Sequence, residues 1–402
     1  MNIAVAQSGG PTAAINASLL GVIKEAYEIP SINKVFGSYN GIEGIIKDQL
    51  INLNSTVSTK EDFDLLATTP SSVLGSCRYK LPDFEIDEEP YIKIVECFQK
   101  HDIGAFFYIG GNDSMDTVVK LSRYLESIGS KVAVLGVPKT IDNDLFETDH
   151  TPGFGSAAKY VVTTLNEIIR DSSVYDLDSV TIVEIMGRHA GWLTASSCLL
   201  RLNGETAPHL IYLPERVFNV DNFIEDLKEE IAKHHQVIVA VSEGIRVAKG
   251  MTYGDASERP DGFGHVTLGG IGKQLENIVK ARIGCKVRSV ELNVLQRCAS
   301  HIASRTDLFE AEKAGVVAVR EMMMGHTGAM IRIRRISDSP YRIAMEAIDA
   351  SKVANKDKPF PQMWINDEGN NVLDEAIPYF LPLIQGEVPV KYENGIPVHF
   401  KL

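Results

Sequence analysis

The chain has 402 residues and a formal charge of −13, enough length for a large core and two domains, and an acidic balance that argues against nucleic acid or an anionic membrane surface as the main partner. Its hydrophobic share of 44% is that of a soluble globular protein, and no apolar run approaches the ~18–20 residues that span a bilayer. The five cysteines, Cys77, Cys97, Cys198, Cys285 and Cys298, are scattered without a CxxC pair, so neither a disulfide framework nor a zinc site is expected and a cytoplasmic location is.

In chain order, residues 2–6 read as a short buried strand that breaks at Ser8-Gly9-Gly10-Pro11. A helix is predicted over about 11–26, with Ile15, Leu19, Val22 and Ile23 at helical spacing. Ser8 and Thr12 are candidate caps, and Pro11 suits a first turn. The small, polar stretch 69–80 ends in Arg78 and Lys80 and reads as a loop. A helix over about 91–101 leads into an apolar strand, 103–109, which ends in Gly110-Gly111-Asn112-Asp113-Ser114. The next helix begins near Asp113 or Ser114. A strand at 131–137 then delivers Lys139-Thr140-Ile141-Asp142-Asn143-Asp144. The loop at 147–156 precedes a helix at about 157–170, strand 179–186 and the pair Gly187-Arg188. A small-residue helix (189–200), strand (209–213), helix (221–234) and strand (236–242) follow, the last ending in Glu243-Gly244. Residues 249–265, rich in Gly, Asp and Pro, read as a mobile loop near the site. Helix 270–283, strand 286–292 and Gln296-Arg297 come next. Beyond Asp338 the pattern weakens to a strand-like 341–345 and proline-rich turns.

This alternation predicts an α/β protein with mostly parallel sheets. Ligands in such sheets bind at the carboxyl ends of the strands. Consecutive strands here end in Gly9, Asn112-Asp113, Lys139 to Asp144, Gly187-Arg188 and Glu243, as if lining one cleft. Gly110 and Gly111 let the backbone approach a ligand, and the helix that follows offers N–H groups and a positive dipole end to phosphate. As reagents, Asp142 is a candidate base, Asp113 a hard oxygen ligand for Mg²⁺, and Lys139 a cation for a transferring phosphoryl group. Arg188, Arg288 and Arg297 suit a phosphate clamp, and Glu243 suits sugar hydroxyls. Singly, each has a bland reading: a turn aspartate is usually a cap, and a strand-end arginine usually a surface ion pair.

Taken together, Ser8-Gly9-Gly10, Gly75-Ser-Cys-Arg78, Gly110-Gly-Asn-Asp-Ser114, Pro138-Lys-Thr-Ile-Asp-Asn-Asp144, Met186-Gly-Arg188, Ser242-Glu-Gly244 and Gln296-Arg297 resemble the phosphofructokinase family over roughly residues 1–335. The resemblance implies two Rossmann-like lobes with the active site in the cleft between them. Residues 1–153 plus about 296–345 would form the donor lobe, and 154–295 plus about 346–402 the sugar-phosphate lobe. It implies fructose 6-phosphate as acceptor, with Asp142 activating its 1-hydroxyl, and Thr140, Asp144, Met186, Gly187 and Glu243 near the sugar. Arg297 and Arg288 would hold the 6-phosphate, Arg288 from a neighbouring subunit of a homodimer or homotetramer. Gly9, Gly10, Arg78, Gly111 and Ser114 would meet the donor, with Mg²⁺ at Asn112 and Asp113.

Members that use ATP carry glycine where this chain has Asp113 and Lys139. A carboxylate at 113 adds bulk and like charge against an α-phosphate, and a lysine at 139 supplies a cation to compact pyrophosphate. The resemblance is therefore to the pyrophosphate-dependent members, with the reaction reversible. Three positions depart from the pattern. Asn112 replaces an aspartate, Ser179 an arginine, and Val294 a His or Tyr, which admits a longer sugar phosphate such as sedoheptulose 7-phosphate. The competing readings are an ATP-using enzyme, a regulatory subunit that only binds sugar phosphate, and a dinucleotide oxidoreductase. Retention of Asp142, Asp144 and Arg188 opposes the second, and the missing third glycine after Gly9-Gly10 opposes the last.

Overall fold

The computed structural model describes residues 1–248, 251–252 and 270–402. Most of the loop expected at 249–265 lies outside the described residues. The strands, in chain order, are β1 (Asn2–Gln7), β2 (Val35–Ser38), β3 (Leu50–Asn52), β4 (Ile103–Gly110), β5 (Ala133–Pro138), β6 (Ser179–Ile185), β7 (Leu210–Tyr212), β8 (Gln236–Ser242), the short pair β9 (Arg246–Ala248) and β10 (Met251–Thr252), then β11 (Lys286–Glu291), β12 (Ala329–Asp338) and β13 (Tyr341–Asp349).

Two sheets carry the architecture. One has seven strands in the order β13-β12-β5-β4-β1-β2-β3, and the other four in the order β11-β6-β8-β7. The four-stranded sheet is wholly parallel. In the larger sheet only β3 and β13 run antiparallel to their neighbours. The expected mostly parallel α/β architecture is what forms.

The sequence accounts for these strands. β4 is apolar at nearly every position because both of its faces are covered, as a central parallel strand requires. Ala105, Phe107 and Ile109 enter one core, Phe106 and Tyr108 the other. In β6, Val180 and Ile182 face one side while Val183 and Ile185 face the other. Helices Ile15–Glu28 and Arg305–Met323 cross closely on one face of the larger sheet. A Cβ on Gly21 would stand 1.9 Å from the Glu312 carbonyl oxygen, and one on Gly315 2.2 Å from that of Ser18, so this crossing admits only glycine.

Two helices differ from expectation, and the tail forms the folded edge that its strand-like stretch suggests. The first helix begins at Ile15, not at Pro11, because the Thr12 hydroxyl accepts from the Ala14 and Ile15 N–H groups and holds residues 8–14 in a turn. The expected helix at 189–200 is a short helix, Trp192–Ala195, that tightens into a 3₁₀ run, Ser196–Asn203. There Ser196 and Ser197 donate back to the carbonyls of Leu193 and Thr194, three residues earlier. The weakly patterned tail is folded throughout. β12 and β13 form a hairpin that extends the larger sheet, with β12 parallel to β5 at Ala329 and Met330. Phe360, Ile365, Val372, Phe380 and Leu383 then join the core beneath the smaller sheet, around Trp192, and Phe400 returns to the core of the larger one.

Candidate active site

Strand order places the site. β1 leads outward to β2, whereas β4 leads the other way to β5, so the two halves diverge at the boundary between β1 and β4. The carboxyl ends at such a switch point leave a crevice. Ser8-Gly9-Gly10 and Gly111-Asn112 open onto it, and Ser114 Oγ donates to Ser8 Oγ across it at 2.9 Å. A Cβ on Gly110 would overlap Ser114 Oγ at 1.9 Å, so that close approach depends on glycine. The carboxyl ends of β6, β8 and β11 face the same space, and the cleft between the sheets encloses about 770 Å³.

Most of the expected residues line this cleft: Gly9, Gly10, Arg78, Gly111, Asn112, Asp113, Ser114, Lys139, Thr140, Asp142, Asp144, Met186, Arg188, Glu243 and Arg297. Two do not. Gly187 turns its peptide inward, its carbonyl accepting from Ser242 Oγ at 2.5 Å. Arg288 sits on β11 and pairs with Asp171 at 3.0 Å, away from the cleft of its own chain. Ser179 begins β6, at the end opposite the cleft, whereas Val294 lines it. His189, Gln296, Asn355 and Asp357 are among the further residues of the wall. Gln296 is buried and its Oε1 accepts from the Met186 N–H at 3.2 Å, which sets that segment. Asn355 and Asp357 lie in the tail, where no periodic pattern or motif marks them.

The loop after β5 is shaped by its own side chains. The Asp142 N–H donates to Thr140 Oγ1 at 3.1 Å, and Thr151 Oγ1 donates to the Thr140 carbonyl at 2.8 Å. Asp142 is only partly exposed, and burial raises its pKa, against which Thr140, Arg188 and Lys139 work. Burial also raises Asp144, and the carboxylates of Asp142 and Asp357 add to that. Glu243 is pushed up to about 7, by burial first and then by Asp142.

Lys139 is 2% exposed. Its Nζ donates to the Gly10 carbonyl at 2.7 Å and lies 3.4 Å from where a Cβ on Gly9 would stand. Burial lowers its pKa to about 7, with Arg297 and Arg78 adding repulsion and Asp142 opposing. Arg188, Arg297 and Asp113 are in turn felt by Arg78. Lys139, Arg78, Arg188 and Arg297 thus share one pocket with Lys80 and with several carboxylates, Asp113, Asp142, Asp144 and Glu243 among them.

The donor set fits a divalent cation. Asn112 Nδ2 donates to the Lys356 carbonyl at 2.9 Å and to Asp357 Oδ1 at 3.0 Å. This fixes the amide's orientation and leaves Asn112 Oδ1 buried with no partner among the described residues. The cleft carboxylates are not gathered into a cage. Among the described residues, the one His/Cys/Asp/Glu group with ligand atoms within 4.8 Å of one another is Asp48, Cys97 and His101, which does not line the cleft. Hard oxygens without a protein cage suit a cation that binds through one or two side chains and the phosphates of its substrate.

A cationic pocket at a strand-end crevice, with a base-like carboxylate and room for a hard cation, defines a phosphoryl-transfer site. The chain belongs to the phosphofructokinase family: residues 2–322 match that family, described as Phosphofructokinase. It is 40% identical over 404 residues to the pyrophosphate–fructose 6-phosphate 1-phosphotransferase of Xanthomonas campestris pv. campestris, covering 100% of this chain and 96% of that protein. The Halomonas elongata protein of the same name is equally similar, at 40% identity over 404 residues. The crystal structure of pyrophosphate-dependent phosphofructokinase from Marinobacter aquaeolei superposes with a TM-score of 0.88 at 37% identity, over 100% of this chain and 95% of that one. Among the described residues no helix is long and apolar enough to cross a membrane.

Proposed function

We infer that this chain transfers a phosphoryl group from inorganic pyrophosphate to the 1-hydroxyl of D-fructose 6-phosphate, giving fructose 1,6-bisphosphate and phosphate, reversibly. The observation that carries the donor assignment is the buried Lys139 ammonium packed against Gly9 and Gly10. In this reading the donor's phosphates lie on the turn at Gly9, Gly10 and Gly111 and on the helix N-terminus at Ser114. Lys139 and Arg78 neutralise them, and the Asp113 carboxylate narrows the space in which a nucleotide would extend.

Asp142 takes the proton of the 1-hydroxyl as that oxygen attacks the terminal phosphorus. The bond to the bridging oxygen breaks and phosphate departs. Thr140 orients Asp142 through the hydrogen bond described above, and Arg188 stabilises charge on the transferring group. Met186, Glu243 and Asp144 hold the sugar, and Arg297 holds its 6-phosphate. Enzymes of this family use a divalent metal. We take it to be Mg²⁺, which Asn112 Oδ1 and Asp113 would hold and which would supply charge neutralisation to pyrophosphate. Arg288, remote from its own cleft, fits donation to a neighbouring subunit of a homodimer or homotetramer. The donor and sugar-phosphate lobes correspond in this reading to the larger and smaller sheets, and the location is cytoplasmic.

The test is steady-state phosphorylation of fructose 6-phosphate with Mg²⁺, with pyrophosphate and ATP compared at equal concentration. Turnover with pyrophosphate and negligible turnover with ATP is expected. ATP turnover alone overturns the account of Asp113 and Lys139.

A further inference from the structure

The loop that carries Asp142 and Asp144 is held by chain from far away in sequence. Asn143, between the two aspartates, is fully buried with φ +56°, a left-handed conformation that asparagine takes more readily than most L-residues. Its amide Nδ2 donates to the Tyr379 hydroxyl at 2.8 Å, while its Oδ1 is buried with no partner among the described residues. The Tyr379 hydroxyl in turn donates to the Asp149 carbonyl at 2.6 Å. One phenol therefore ties Asn143 to the far end of the same loop.

Lys358 makes a second tie. Its backbone N–H donates to the Asp144 carbonyl at 2.7 Å. Its Nζ donates to the carbonyls of Thr148 and Asp149, at 3.0 and 2.7 Å, and rests 4.8 Å from the centre of the Trp192 ring. Between these ties, Asp357 bridges Leu145 in antiparallel fashion. Tyr379 is itself fixed, with the Arg335 guanidinium 4.6 Å from its ring centre and donating to its carbonyl at 3.0 Å.

We propose that the C-terminal arm, residues 355–380, is a positioning element of the active site that sets the conformation of the 142–149 loop through Tyr379 and Lys358. The arm lies beyond residues 2–322, the part that matches the family, so the family's shared core does not itself supply these two groups. Neither side chain touches the reacting atoms. Each acts through the backbone that aims Asp142 and Asp144, and a displacement of the base near 1 Å is enough to cost up to ~10²-fold in rate. The proposal deepens the reading of Asp142 as base. An active Asp142→Asn enzyme would overturn that reading and leave the loop measurement below unaffected.

The variants are Tyr379→Phe, which removes one oxygen and keeps the ring in the core, and Lys358→Met, which keeps most of the packing on Trp192. Each full-length enzyme is measured for kcat and both KM values, and by hydrogen–deuterium exchange. In both variants kcat is expected to fall at least ~tenfold, with KM for pyrophosphate within about twofold of the parent, and exchange is expected to quicken in the peptide covering 140–153 while the strands β6 and β8 keep their protection. Unchanged exchange at 140–153 overturns the proposal, as does a kcat within twofold of the parent. Protection lost across both sheets together also overturns it, since the arm would then be a general structural support.

Discussion

Lys139 gives the sharpest test, because the same burial that makes it useful should make it destabilising. Its pKa falls from the ordinary 10.5 to about 7, which at ~1.36 kcal/mol per unit of pKa corresponds to ~5 kcal/mol. This cost of burying the ammonium beside Arg297 and Arg78 is fully present below pH 7, where folded and unfolded chains are both protonated. Between pH 7 and 10.5 the unfolded chain holds the proton and the folded one releases it, so this part of the stability rises with pH. Lys139→Met should therefore raise the melting temperature of the ligand-free enzyme at pH 6.5, by a margin that shrinks toward pH 9. It should also lower kcat with pyrophosphate by ~10²–10³-fold, the usual cost of removing one preorganised charge-stabilising group. Thermal melts at the two pH values and steady-state rates check both. A variant that melts lower than the parent at pH 6.5, or retains more than a tenth of its kcat, would show that the ammonium is not held against its own burial for the donor's benefit.

Burial lifts Asp142 above the ordinary carboxylate range, so kcat/KM for fructose 6-phosphate should decline with acid at a pH above 3.8, and an acid limb at or below 3.8 in the pH–rate profile would contradict the assignment. Asp142→Asn should cost ~10²–10⁴-fold in kcat while fructose 6-phosphate still binds by calorimetry. Gly110→Ala drives a Cβ into Ser114 Oγ; the expected loss is ~1–3 kcal/mol of stability with a raised KM for pyrophosphate, read by denaturant unfolding and kinetics. If Arg288 reaches a neighbouring subunit, Arg288→Ala should raise KM for the sugar phosphate and leave that for pyrophosphate unchanged; equal effects on both would place Arg288 outside the phosphate clamp.

The parts of the site that could be read from sequence are those where local chemistry announces itself. An apolar run too continuous for a one-sided strand, followed by Gly110-Gly111 or by Lys139 to Asp144, marks a buried parallel strand ending in a polar turn. Thr12 was visible as a cap, but its effect was to delay the helix to Ile15, a choice decided by two hydrogen bonds and not by periodicity. What stayed hidden is long-range. Nothing near Lys139 says that it is 2% exposed, since a lysine in a turn ordinarily reaches water. Asn355 and Asp357 reach the cleft from a tail with no regular pattern, and the bond that Asn112 makes to Asp357 exists only in three dimensions. Gly187 was expected to meet the sugar, yet its peptide faces Ser242, because a sequence motif gives order along the chain and not the direction in which each group points.

The placement of the tail follows from the same energetics. The bonds that Thr140 and Thr151 make within the loop leave the repulsion between Asp142 and Asp144 in place, and burial raises both. Stability for such a segment has to come from groups that are not themselves reacting. Lys358 provides a cation that opposes the rise at Asp144 while bonding backbone carbonyls of the loop, and the Tyr379 hydroxyl accepts from the side-chain amide of Asn143. Both are anchored on the far side by Trp192, Phe360 and Phe380, whose rings pack together beneath the smaller sheet. The smaller sheet's core thereby bears on the loop that follows β5 of the larger sheet, so a substitution deep in that aromatic cluster, such as Phe380→Ala, should reduce kcat by more than its effect on either KM, and a loss confined to KM would break this link between core and loop.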